Sequence, residues 1–239
     1  MKVAAVDIGT NTVRLLLGDV VGDVGHLGLA NVERHEIITK LGEGLDATGR
    51  LGRDPMGRAL AGLGYYATLI AESEVERTGG VATAATRSAS NGDVFAARVA
   101  DILGFHPRII DGVEEARLTY VGATAGRDRD TSYGVIDVGG GSTEFVVGTH
   151  GPDYAMSVDI GSVRLTERVL ALGIEEKVAQ RDYVDSLLSG VQPPYVPDVV
   201  LGSGGTFVTL GAVHHRLSKD EAEERSDLVL TMAQLSATV

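Results

Sequence analysis

The chain has 239 residues, 44% of them hydrophobic, with no cysteine and a net charge of −12. That is enough for one large core or two small ones, and it excludes disulfides and thiolate metal sites. No run of about 18 apolar residues offers a membrane span, no leader is expected ahead of the first strand, and the acidic balance disfavours non-specific nucleic-acid binding, which needs clustered Lys and Arg; a cytoplasmic location is expected.

Residues 3–9 and 13–20 read as the strands of a hairpin, joined by a Gly-rich polar turn in Asp7-Ile-Gly-Thr-Asn-Thr12. Ile37-Ile-Thr-Lys-Leu41 reads as a short strand. Asp54-Pro55 predicts a helix start, Asp as cap and Pro in the first turn, with Met56, Leu60, Leu63, Ala67 and Ile70 at helical spacing and Gly79-Gly80 as its end. Val81–Thr86 follows as a strand ending at Arg87, and Asn91 caps a helix carrying Phe95, Val99 and Ile102. Arg108–Asp111 is a strand that Gly112 turns into a helix over 113–125.

After the charged stretch Gly126-Arg-Asp-Arg-Asp-Thr131 the pattern restarts. Strands are predicted at 133–138, 143–148 and 154–160, and helices from Ser162 and over 178–190. A stiff connector at 192–197, a buried strand at 198–201 and a helix begun by Gly202-Ser-Gly-Gly-Thr206 complete the set. The restart predicts an internal repeat, with one domain over 1–127 and a second over 128–239.

Two stretches carry the chemistry. Around Asp7 and around Asp137, an apolar strand ends in Asp, turns through glycines and leaves as a second apolar strand. Such turns expose amides that suit an anion, and an Asp at a strand end suits a hydrated Mg²⁺. In the first turn Gly9 permits close approach, while Thr10, Asn11 and Thr12 offer donors. In the second, Gly139, Gly140 and Gly141 precede Ser142 and Thr143, and Glu144 lies seven residues past Asp137, close enough to share a cation. Three glycines in a core hairpin weaken its strands, so something must approach them closely. Gly204 and Gly205 open a helix and form a weaker anion site. Glu114 and Glu115 fall in the first turn of a helix, where complementing the macrodipole is the simpler reading. On the residues alone, Arg87 closes a strand, where side chains commonly reach a cleft, with a solvated surface arginine as the alternative; Arg164 carries the same alternative, and His214-His215 reads as incidental.

The ordered set AAVDIGTNTVRLLL, ITKLGEGLDATGRL, VATAATRSASN, IIDGVEEARLTYVGA, VIDVGGGSTEFVVG, DIGSVRLTERVL and GSGGTFVTL resembles the exopolyphosphatase/guanosine pentaphosphate phosphohydrolase (Ppx/GppA) family of the actin-like ATPase-domain superfamily. The resemblance runs from residue 3 to about 211, and the DGVEEARLTY and VRLTER blocks separate it from kinases that share only the glycine turns. It implies an α/β fold of two ribonuclease-H-like domains, each a mixed sheet flanked by helices, with substrate in the cleft between them. It implies Mg²⁺-dependent hydrolysis of the terminal phosphate of polyphosphate or guanosine pentaphosphate. Glu115 would activate the water, Asp137 and Glu144 would attend the metal with Asp7, and Arg87 would contact phosphate. An actin-like small-molecule kinase and a non-catalytic nucleotide or polyphosphate sensor are the competing readings.

Short members of that family run on past the equivalent of Gly211 to a further Ser-x-x-Gly-Leu-Arg-Glu-Gly type block, which is not found before Val239. The resemblance therefore implies either a fragment or a shortened member, with the C-terminal part of the second domain missing. Leu228, Val229, Leu230 and Met232 follow a polar stretch at 220–227, and they predict an exposed apolar patch with homodimerisation, aggregation or poor order beyond residue 217.

Overall fold

The computed structural model describes residues 1–22, 28–223, 225 and 228–238. The first half runs β1 (Lys2–Ile8), β2 (Thr12–Val21), β3 (Gly28–Ile38), α1 (Leu45–Thr48), α2 (Arg53–Glu72), β4 (Arg77–Ala82), α3 (Ala84–Ser88), α4 (Gly92–Leu103), β5 (Arg108–Ile109) and α5 (Gly112–Thr124). The second runs β6 (Tyr133–Val138), β7 (Thr143–Gly148), β8 (Pro152–Val158), α6 (Ser162–Leu172), α7 (Lys177–Leu188), β9 (Val199–Ser203), α8 (Gly205–His215), α9 (Lys219–Glu223) and α10 (Met232–Thr238). Each half opens with a three-stranded antiparallel meander and adds a parallel strand beside the first one, and the first half adds β5 parallel to β4, giving sheets ordered β3-β2-β1-β4-β5 and β8-β7-β6-β9. Two mixed sheets flanked by helices are the architecture the sequence predicts.

Alternation along β1 and β2 decides which face each sheet buries. Ala4, Val6, Ile8, Val13, Leu15 and Leu17 point one way and form one buried cluster with Leu63 and Tyr66 of α2 and Phe95 and Val99 of α4. The second sheet is covered differently. Its apolar face, with Tyr133, Val135 and Val146, is closed by Ala116 and Tyr120 of α5. The helix that ends the first half is thus the lid on the core of the second.

Several local expectations shift. The strand expected at residues 37–41 is the tail of a much longer one. β3 begins at Gly28, and its residues Glu33, Arg34 and Glu36 are exposed on a sheet edge, so no apolar alternation announces it. Helix α2 begins at Arg53 with Gly52 as its cap residue, so Asp54 sits in the first turn rather than at the cap. It ends at Glu72, and Gly79-Gly80 lie within β4 beside Ala5 and Val6. A Cβ on Gly80 would sit 2.8 Å from the Val6 carbonyl oxygen, so the glycine serves strand packing. The strand expected through Thr86 stops at Ala82, which puts Arg87 in the last turn of α3. Asn91 is the cap residue of α4 but makes no capping bond; its amide instead clamps Leu51, accepting from the Leu51 N–H at 2.9 Å and donating to its carbonyl at 3.1 Å. β9 is apolar without being buried, because it forms a sheet edge with Val199 41% and Val200 57% exposed.

At the far end, α9 and α10 lie on α8, Ala222 is buried, and Leu228 packs toward Gly211. The expected apolar exposure is there in Val229 and Met232. Of the polar stretch at 220–227, residues 224, 226 and 227 lie outside the described residues.

Candidate active site

Strand register builds the site. Ser157, Glu144, Asp137 and Ser203 are direct neighbours across β8, β7, β6 and β9, so all four sit on one face as a polar row. That face is the one α5 covers. The helix presents Gly112, Glu115, Ala116, Thr119, Tyr120 and Ala123 at helical spacing. Its apolar members pack on the core, while its first turn lies over the polar row. The Asp111 side chain caps the helix, accepting from the Glu114 N–H at 2.8 Å. Thr119 Oγ1 reaches toward Asp137 Oδ2 at 3.5 Å. The first sheet carries the corresponding row Val81–Asp7–Arg14–Glu36.

Glu115 is the centre of this geometry. Its side chain is 17% exposed and accepts from Arg87 Nη1 at 3.1 Å, and the same nitrogen donates to the Ile110 carbonyl at 2.8 Å. Burial pushes the Glu115 carboxyl up from its ordinary range, while the Arg87 guanidinium opposes the shift. Glu144 is more strongly affected. Only 2% exposed, it is pushed up to about 8 by burial and by the Glu115 charge, against hydrogen bonds from Ser157, at 2.8 Å, and Ser142. Asp137 and Asp7 are raised as well, each chiefly by desolvation and each opposed by Arg14. Arg14 divides its charge, holding Glu36 at 2.6 Å and Asp7 at 3.5 Å.

The two glycine turns are built alike. The Gly9 N–H donates to Thr12 O and the Gly139 N–H to Ser142 O, both at 3.1 Å. They also meet each other. A Cβ on Gly140 would lie 3.1 Å from Asn11 Cβ, and one on Gly141 would lie 2.5 Å from Thr10 Oγ1. The close approach that the sequence demands at these glycines is made by the opposite turn. Behind them, the Gly139 and Gly140 carbonyls accept from the first amides of α6 at 2.9–3.1 Å. Thr143 Oγ1 is committed to Ile160 O at 2.6 Å. Thr10 is 7% exposed, and its hydroxyl has no partner among the described residues although it sits between the two turns. A buried, unpaired donor there fits an anion. Gly204 caps α8 beside Asp137, where a Cβ would lie 2.6 Å from Oδ1, and Gly205 follows as the first helical residue.

Among the described residues, no three acidic or imidazole side chains converge on one point as a ready-made metal cage. Mg²⁺ does not need one, since it keeps water and takes one or two carboxylates with substrate phosphate. The donor set fits such an ion: Asp137 and Glu144 are paired across the strands, and each carries a raised pKa that a cation would relieve.

Sequence reasoning misses the groups that hold this machinery. Ser157 and Thr119 show no motif, and only strand register and helix spacing bring them to the carboxylates. Arg164 is not solvated. It is 8% exposed and reaches Asp159 at 2.7 Å and Ser88 at 3.1 Å. Its neighbour Arg168 grips Asp46 of α1 from the other half, and the Gly44 N–H donates to Glu167 at 2.9 Å. Arg164, Glu167 and Arg168 all come from the VRLTER stretch, which therefore clasps the two halves.

A model described as the Ppx/GppA phosphatase family matches residues 20–239. Exopolyphosphatase 2 of Mycobacterium tuberculosis is 37% identical over 233 residues, spanning 92% of this chain and 73% of the relative. The guanosine-5'-triphosphate,3'-diphosphate pyrophosphatase of Photobacterium profundum is 30% identical over 226 residues, 91% of this chain and 44% of the relative. A solved exopolyphosphatase-like protein superposes with a TM-score of 0.79 at 35% identity, covering 90% of this chain and 69% of the other. No described helix is long and apolar enough to cross a membrane. With the glycine turns, the E-E-A-R helix and the match over most of its length in agreement, the chain belongs to the Ppx/GppA phosphatase family.

Proposed function

We propose that this protein hydrolyses the terminal phosphoanhydride of inorganic polyphosphate or guanosine pentaphosphate. The observation that carries the reading is Glu115: a half-buried carboxylate with a raised pKa, held by one arginine and close enough to Glu144 and Asp7 to feel their charge. A raised pKa brings a carboxylate nearer the operating pH, where a general base works best. Glu115 takes the proton from water as that water's oxygen bonds to the terminal phosphorus and the bond to the bridging oxygen breaks. Phosphoryl transfer asks the protein mainly for positioning and charge neutralisation. Arg87 neutralises charge on the transferred group, and the Thr10 hydroxyl with the turn amides cradles the phosphate. Asp137 and Glu144 would hold a hydrated Mg²⁺, which supplies further neutralisation when bound; Asp7 faces the same space.

Relatives named for polyphosphate and for a guanosine nucleotide support both substrates as candidates. Incubation of the chain with Mg²⁺ and each compound separately, measuring free phosphate, decides the matter. Phosphate release with no added acceptor supports the hydrolase. Transfer only to an added acceptor replaces it with a kinase, and tight binding without turnover replaces it with a sensor.

A further inference from the structure

Gly112, the first residue of α5, lies where two functional contacts meet. A Cβ built on it would stand 2.4 Å from Ser157 Cβ, 2.5 Å from Ser157 Oγ and 3.6 Å from Arg87 Nη2. Ser157 is the partner of Glu144, and Arg87 is the partner of Glu115. We propose that Gly112 is a positioning residue: its missing side chain lets the first turn of α5 seat directly on Ser157 of β8, and this contact sets the spacing between Glu115 and Glu144. The proposal rests on the hydrolase reading above.

The contact is hard to relieve by local adjustment. A Cβ is fixed by its own backbone, so Ser157 Cβ cannot swing aside as a long side chain would. β8 is pinned by its ladder to β7, through Glu144↔Ser157 itself and through Phe145↔Met156 and Val146↔Ala155. The helix is held further along by burial of Ala116 and Tyr120 and at its start by the Asp111 cap. Carbon atoms rest comfortably at about 3.5 Å, so a methyl group at residue 112 needs roughly 1 Å of separation between helix and strand. Glu115 is one turn further along the same helix and moves with it. Glu144 stays with the sheet. Misplacement by about 1 Å costs catalysis on the order of 10²-fold.

The test is a cycle of Gly112→Ala, Ser157→Gly and the double variant, measured by steady-state phosphate release, with melting curves to establish folding. Gly112→Ala should lower kcat by roughly 10²-fold and change KM by no more than about threefold, because the phosphate-facing turns are untouched. Ser157→Gly removes the atom that the new methyl meets. The double variant should therefore recover to the kcat of Ser157→Gly alone, a non-additivity expected only of groups in contact. Gly112→Ala with unchanged kcat, or losses that simply add in the double variant, would overturn the proposal. If Gly112→Ala does not fold, the double variant decides: folding and turnover regained uphold the contact, and a double variant that also fails refutes it. An unmodified chain that releases no phosphate from either substrate defeats the hydrolase reading instead, so the two failures are told apart.

Discussion

Arg168 of α6 holds Asp46 of α1 through two nitrogens at once, Nε at 2.8 Å and Nη2 at 2.9 Å. The pairing is fork to fork, the strongest arrangement an arginine and a carboxylate make, and it spans 122 residues of sequence. Arg164 approaches the same carboxylate at 3.7 Å. One acidic side chain in the first half thus answers two arginines in the second.

Replacing that carboxylate should loosen the clasp. Asp46→Asn is expected to cost about 0.5–1 kcal/mol, the upper part of the range for solvent-exposed ion pairs with bidentate geometry. Arg168 holds the Asp46 carboxyl below its ordinary range of 3.8, so its contribution is present above that value and lost as pH falls through the lower, folded one. Urea midpoints at neutral pH and near pH 3 measure this. Equal midpoints for the variant and the unmodified chain at neutral pH would show that the clasp contributes nothing.

Glu144 sets a pH dependence of the opposite sign. Its folded value of about 8 lies above the ordinary 4.5, so between those values the folded chain keeps a proton that the unfolded chain has released. Stability is full below about pH 4.5 and falls as pH rises toward 8, at up to ~1.4 kcal/mol per pH unit for one proton. Glu115, Asp137 and Asp7 are shifted in the same direction. Denaturant midpoints in chelator-treated buffer should drop from pH 5 to pH 8, and Glu144→Gln should flatten the slope. Mg²⁺ should restore part of the loss at pH 8 in the unmodified chain and less in the variant. A midpoint unchanged across that range rules out the carboxylate account.

Glu115→Gln should lower kcat by about 10²–10⁴-fold while substrate binding changes little, as expected when a general base is lost. The amide oxygen can still accept from Arg87, so the local structure is kept. Glu114→Gln should be nearly silent, because Glu114 faces outward and pairs with Arg108. Reversal of these two outcomes in a phosphate-release assay would transfer the role to the neighbour.

Arg87→Ala should raise KM and lower kcat together. In the proposed mechanism the side chain offers charge to the phosphate, and in the structure it ties Glu115 to the Ile110 carbonyl, so both binding and base orientation should suffer. Added salt should weaken substrate binding by the unmodified chain, since attraction of a polyanion to an acidic protein relies on short-range positive charge. A KM unchanged by the substitution throughout a salt series would place Arg87 outside the substrate site.

The site shows how far the sequence can be read. The paired glycine turns are legible because strand–turn–strand patterns with Asp at the same place encode them, whereas Glu115 stands out only through the E-E-A-R resemblance, since on the residues alone it reads as complementing the helix macrodipole. Most strands and the longer helices follow from apolar periodicity and turn signals, while their assembly into two mixed sheets is what the family resemblance implies. What escaped depends on tertiary pairing. β3 carries charges along an exposed edge, so only its pairing with β2 reveals it. Gly79-Gly80 looked like a helix stop, yet the Val6 backbone passing beside Gly80 makes them part of a strand. Ser157 has no local signature at all; it matters because it pairs with Glu144. The triple glycine was correctly read as a demand for close approach, but what approaches includes Thr10 and Asn11 of the first turn.

The placement of α5 over β6, β7 and β8 has a consequence for how the chain folds. Tyr133, Val135 and Val146 are dry only while Ala116 and Tyr120 lie on them. A chain beginning at residue 128 would expose that apolar face to water, and one ending at residue 127 would carry a helix with nothing to cover. The two repeats therefore depend on each other for a solvent-excluded interior, and unfolding should proceed as one cooperative transition rather than two.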